Sequence, residues 1–374
     1  MSAIADQIKR SRKSPDVISS LTHIPKDRLV ELLTGAEPTL GELRKLAAAL
    51  GISVSDFVPG SSQPSPATVL FRQTMGTLKP SYMPDIELLA GQMERALAFL
   101  PPATPPHWAK SFTGSHITYL DAERDAETFR NLFFYGDQVS PILRLPKLVL
   151  EEMGVLVLIA QRQRIDGASA VLASVPFIFV SPRFPPRMLF TLAHEIGHLL
   201  AHHRPGADFA IFDVEKSIGG IRAKRDRRER FADAFASCLL LPKAGVGIAL
   251  NKIREINKIR ADQIGDVELL YLAHIFGVSF QVAAKRCEDL DFLPQGGAIS
   301  LYEAVCRYHG SPEKRARELQ LPPRPEVEFP SVPPRLLEGA IEKIRQGEIS
   351  IGRAAMSLNL SIPRIIDAHR RHDS

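Results

Sequence analysis

Residues 187–203 read RMLFTLAHEIGHLLAHH, and no other segment constrains the fold as tightly. Leu189, Phe190, Leu192, Ala193, Ile196, Leu199 and Leu200 recur at helical spacing and demand burial on most sides of a helix. Into that apolar helix the sequence sets His194, Glu195 and His198. Polar groups taken out of water need partners, so the fold must give the two imidazoles and the carboxylate something to hold. Positions i and i+4 lie one turn apart on the same face. Both imidazoles can therefore reach one Zn²⁺ at about 2.0–2.1 Å. Glu195, beside them, is placed to take a proton from a zinc-activated water and pass it to a leaving amine. The bland alternative is a surface helix that happens to carry two histidines, and the apolar flanks argue against it. Gly197 argues the same way: glycine inside a helix costs about 1 kcal/mol against alanine, which marks a close approach there.

A catalytic zinc needs a third protein ligand and an open position. His202 is a further i+4 step along the helix, too far up the axis. It and His203 read as solvated or substrate-side residues. Glu229, in ERFADAFA, is the better third ligand: Phe231, Ala232, Phe235 and Ala236 turn that helix toward a core. Asp233 lies one turn on from Glu229, on a shared face. It can accept the N–H of a ligand histidine and fix its tautomer. Against this stands the simpler reading that both carboxylates offset neighbouring arginines.

These blocks resemble the ImmA/IrrE family of metallopeptidases over residues 121–293. The matching stretches are AETFRNLF, EEMGVLVL, RMLFTLAHEIGHLLAHH and ERFADAFASCLLLP. The last resembles the family's E-x-x-A-N-x-F-A-x-x-L-L-x-P, with Glu229 at the ligand position and Asp233 where the pattern has asparagine. The resemblance implies a gluzincin-like zinc peptidase whose substrate is a repressor or antitoxin-like protein.

Residues 15–35, PDVISSLTHIPKDRLVELLTG, resemble the helix-turn-helix of Cro/C1 (XRE) repressors. Ile18, Ile24, Leu29 and Leu32 take the core positions, while His23 stands in for the usual turn glycine and Leu33 for the usual glutamate. The second helix would offer Lys26, Asp27 and Arg28 to DNA. Residues 1–58 hold eight basic and seven acidic side chains, little for phosphate binding. The alternative is a protein-docking or homodimerising helical module. At the other end, GEISIGRAAMSLNLSIPRIIDAHRR is also helix-turn-helix-like, with Ala354 and Ala355 in its first helix and Ile362–Arg370 in its second, and reads as a partner-contact module.

The expected architecture is α+β and mostly helical. An N-terminal helix-turn-helix bundle (1–58) is followed by a linker and helical connector (59–120). A central zinc peptidase domain with a small sheet (121–293), a connector with a proline-rich linker (294–334) and a C-terminal helical module (335–374) complete it. GVLVLIA and AVLASVPFIFVS are expected strands, with IDGAS a turn between them and Phe177–Val180 a candidate substrate edge. Tyr271 and His274 are candidates to stabilise an oxyanion. The net charge of +5 is concentrated in Lys216, Arg222, Lys224, Arg225, Arg227, Arg228 and Arg230. That run reads as a solvated loop. Three cysteines without C-x-x-C spacing argue against a disulfide framework or a cysteine zinc site. Without a signal-like segment or a run of ~20 apolar residues, the reading is a cytoplasmic protein that makes no use of a membrane. The expected function is zinc-dependent cleavage of a specific regulatory protein. The alternative is a DNA-binding regulator whose metal domain senses a ligand or metal.

Overall fold

The computed structural model describes residues 3–11, 13–50, 57, 66–74, 82–104, 106–112, 118–160, 165–202, 207–214, 227–330 and 332–372. His203, nearly all of PGSSQPSP and most of the basic run 216–230 lie outside them. The chain divides into two units, residues 1–101 with 334–374 and residues 102–333. It is mostly helical with one small mixed sheet, an α+β fold. No single helix among the described residues is long and apolar enough to cross a membrane.

The first unit begins with α1 (Ala3–Ser11), α2 (Pro15–Thr22), α3 (Lys26–Thr34) and α4 (Leu40–Leu50). Ser14 caps α2 by accepting the Val17 N–H, and Pro15 sits in the first turn, where a missing N–H costs nothing. The helix ends on His23 at φ 54°, a left-handed conformation that glycine adopts without strain. Gly35, at φ 117°, ends α3. Ile4, Ile8, Ile18, Ile24, Leu29, Leu32 and Leu46 form the core of these helices. Two further helices follow, α5 (Pro66–Thr74) and α6 (Met83–Leu97).

The second unit opens with a 3₁₀ turn at His107–Ser111, whose buried Trp108 donates its indole N–H to the Met153 carbonyl at 2.9 Å. Next come α7 (Tyr119–Phe133), α8 (Leu145–Glu151), β1 (Leu156–Ile159), β2 (Ile165–Leu172), β3 (Val175–Val180), α9 (Pro185–His202), β4 (Phe209–Val214) and α10 (Arg227–Leu240). Thr118 and Asp121 start α7 with reciprocal side-chain-to-backbone bonds, a capping box. The unit ends with α11 (Lys243–Ile256), α12 (Asp266–Phe276), α13 (Phe280–Asp289), α14 (Gly297–His309) and α15 (Pro312–Glu318). Helix α9 packs on β2 and β3, α10 packs on α9, and α7 packs on α10. The segment after α15 lies along this unit rather than hanging free. Arg324 donates to the Ala273 and Val278 carbonyls, and Val327 and Phe329 pack on the core.

The sheet order is β1-β3-β2-β4, with β1 parallel to β3 and β2 antiparallel to both its neighbours. Two expectations are corrected here. Phe177–Val180 is interior, paired on both sides, and the edges are β1 and β4. IDGAS is the first half of β2 rather than a turn. The reversal falls at Ala173 and Ser174, with φ of 51° and 63°, inside the stretch read as a single strand. The reason lies at Gly167, which the candidate site explains.

The first unit is completed by α16 (Pro334–Arg345), α17 (Ile351–Leu358) and α18 (Ile362–His372). Helix α16 comes so close to the backbone after α6 that a β-carbon at Gly339 would fall on the Phe99 carbonyl.

Candidate metal centre

Helix α9 is buried along most of its length, and His194 and His198 are fully enclosed. The second wall of the site is α10, which crosses α9 at Gly197. A β-carbon there would stand 3.1 Å from Ala232 Cα and 3.2 Å from Phe235 Cδ1. This is the close approach that a glycine inside an apolar helix implied. It brings the first turn of α10, and Glu229 with it, up to the two histidines.

His194 Nε2 and His198 Nε2 lie 3.1 Å apart. Glu229 Oε2 is 3.6 Å from the former and its Oε1 3.4 Å from the latter. Ligands about 2.0–2.1 Å from a tetrahedral ion stand about 3.3–3.4 Å from one another. The observed triangle therefore fits three corners of that tetrahedron. The donor set, two imidazoles and one carboxylate, suits a divalent transition metal and leaves a fourth position open.

Asp233 lies behind the triangle. Its Oδ1 is 3.1 Å from His194 Nδ1. A carboxylate there favours the proton on Nδ1 and turns the Nε2 lone pair toward the other ligands. The sequence spacing of Glu229 and Asp233 thus carries both residues to the same imidazole, from opposite sides of its ring.

Glu195 is wholly buried and lies against β2. A β-carbon at Gly167 would overlap Glu195 Oε1 and sit 2.7 Å from Thr191 Cγ2. Asp-Gly chemistry, which reads as a turn, is here a strand that must pass close to a carboxylate. Asp166, also buried, is tied to the start of α9 by Arg187 at 2.6 Å and Arg183 at 3.3 Å. Sequence reasoning missed both residues, because Asp-Gly carries no mark separating a turn from a close approach.

The far end of α10 is held by two buried arginines. Arg130 of α7 donates to the Leu239 carbonyl from Nε at 2.9 Å and from Nη2 at 2.7 Å, and also reaches the Asp137 and Ser140 carbonyls. Arg286 of α13 donates to the Leu241 carbonyl at 2.9 Å and pairs with Glu123 at 3.0 Å. Carbonyls at a helix C-terminus have no partner within the helix, and cations there also complement its dipole. Burial lowers the Arg130 guanidinium to about 10. One signal for it was present: Arg130 stands in line with Ala122, Ala126, Phe129 and Phe133 on an apolar face.

Most of the remaining candidates have partners of their own. Tyr271 packs on the core, and His274 Nδ1 is 3.0 Å from the Pro322 carbonyl. In α3, Lys26 pairs with Asp16 at 2.6 Å. Arg28 donates to Glu42 at 2.8 Å, Glu31 at 2.9 Å and the Glu37 carbonyl at 3.0 Å. Asp27 is exposed.

No curated protein matches the chain. Residues 150–288 match the family model of the IrrE N-terminal-like domain, Peptidase M78. The matched stretch contains His194, Glu195, His198, Glu229 and Asp233, and the match supports a metallopeptidase domain of the ImmA/IrrE kind within this chain.

Proposed function

We propose that residues 121–293 form a zinc-dependent endopeptidase that cleaves a specific regulatory protein, a repressor or antitoxin-like factor, and so controls gene expression. The observation that carries this reading is the triangle of His194, His198 and Glu229 with Glu195 buried beside it. A metal-sensing site needs ligands, but it has no use for an acid–base carboxylate next to them.

When bound, zinc would supply Lewis-acid activation of water and of the scissile carbonyl. His194, His198 and Glu229 would hold it, and Asp233 would fix His194 with its proton on Nδ1. Glu195 would take one proton from the attacking water and return it to the amine nitrogen as the C–N bond breaks. The packing of β2 against its carboxylate keeps that group from swinging away. An extended substrate would add to β4, an edge strand of the described sheet, through main-chain hydrogen bonds.

The test compares new protein N-termini in cells expressing the wild type or Glu195→Gln. Termini present only with the wild type support the peptidase and name its substrate. Identical profiles, together with DNA binding that responds to zinc, favour the sensing regulator instead.

A further inference from the structure

The pair α17–α18 repeats the local stereochemistry of α2–α3. Each pair begins with a helix of 8 residues that ends on a non-glycine residue in the left-handed region, His23 or Asn359, both at φ 54°. In each, the second helix starts at the third residue after it, Lys26 or Ile362. The residues five before the turn, Ile18 and Ala354, are buried, as are those six after it, Leu29 and Ile365. Two helices joined by a turn of this length are the helix-turn-helix arrangement, whose second helix can enter the DNA major groove.

The two pairs differ in charge. Lys26 and Arg28, the basic residues of α3, are engaged by Asp16, Glu31 and Glu42, and Asp27 and Glu31 balance them. In α17–α18 the exposed cations are Arg353, Arg364, Arg370 and Arg371, and Asp367 is the single acid. Among the described residues, Arg353, Arg364 and Arg370 make no ion pair. Helical spacing sets Arg364, Asp367, Arg370 and Arg371 on the face opposite the buried Ile365. At the first position of α18, Ile362 is 51% exposed, an apolar group where a recognition helix meets base edges.

We infer that α17–α18, rather than α2–α3, is a surface for double-stranded DNA. Ile362 and Arg364 face the major groove, and Arg353, Arg370 and Arg371 meet phosphates. This goes beyond peptide hydrolysis and departs from the partner-contact reading of the C-terminal helices.

The full chain is titrated against a labelled mixed-sequence duplex of about three helical turns, with anisotropy read between about 50 and 200 mM salt. Arg364→Ala/Arg370→Ala lowers affinity tenfold or more and reduces the salt slope by about 2. Arg364→Lys/Arg370→Lys keeps the slope, which separates lost charge from lost folding, and Lys26→Ala/Arg28→Ala binds like the wild type. The inference is overturned by a wild type that does not bind the duplex at the lowest salt. It is also overturned by an alanine pair that binds normally, or by loss of binding in Lys26→Ala/Arg28→Ala alone. Capture of a protein with no duplex binding would make α17–α18 a docking surface and count equally against it.

Discussion

Glu195 Oε1 occupies the space that a side chain at Gly167 would need. A strand that bends around a carboxylate also positions it, and displacement by about 1 Å can cost ~10²-fold in rate. Gly167→Ala should therefore reduce peptidase activity by about that factor while zinc content stays stoichiometric, because the atoms its new β-carbon meets first belong to Glu195 and Thr191. Activity assayed beside metal analysis separates the two. Full activity in the variant would mean that β2 yields freely and has no positioning role.

Asp233→Ala removes the acceptor 3.1 Å from His194 Nδ1. Zinc affinity should fall about 10–100-fold, read by competition with a chromophoric chelator. Asp233→Asn retains an oxygen acceptor and should lose much less. Equal losses in the two would point to charge, rather than tautomer control, as the contribution of Asp233.

Arg130→Met leaves the Leu239, Asp137 and Ser140 carbonyls without the guanidinium that serves all three. Each buried carbonyl left unpaired costs about 1–3 kcal/mol. Leu239 is buried whereas Asp137 and Ser140 reach solvent, so the second unit should lose about 1–3 kcal/mol, seen as a lower urea midpoint. A change below about 1 kcal/mol would show that water replaces the arginine.

The carboxyl of Glu42 is held down to about 2, first by the hydrogen bond from Arg28 and then by the Thr39 N–H. A depressed folded-state value contributes stability above the unfolded value of 4.5 and loses it as pH falls toward 2. Glu42→Gln should therefore be less stable than the wild type at neutral pH, and the two should converge on acidification across that window. Because both side chains keep part of their surface in solvent, screening should keep the difference small. A gap that persists at pH about 2 would assign it to packing instead.

What sequence reading reached and what it missed divide along a physical line. That His194 shares a face with His198, and Glu229 with Asp233, follows from i, i+4 spacing within each helix, because a helix converts sequence distance directly into geometry. Strand neighbours are not local. Whether Phe177–Val180 is an edge depends on β1, which lies earlier in the chain, and on β2. Gly167 was opaque because its reason is a carboxylate on another element. Helices α14 and α15 went unread because the stretch was taken as a connector, although Ser311 and Pro312 form a helix start like Ser14 and Pro15.

The crossing at Gly197 also has a topological consequence. The three candidate ligands belong to helices separated by β4, so an ion shared by His198 and Glu229 would close a ring of chain that contains this sheet edge. Such a closure acts as a removable cross-link and withdraws loop entropy from the open state. Without the ion, the described residues of that ring are held by the pairing of β4 with β2 and by α10 lying against Gly197. Chelation would thus slacken the edge strand, and under the proposed function the protein would lose its hold on an extended polypeptide together with its ability to cut one.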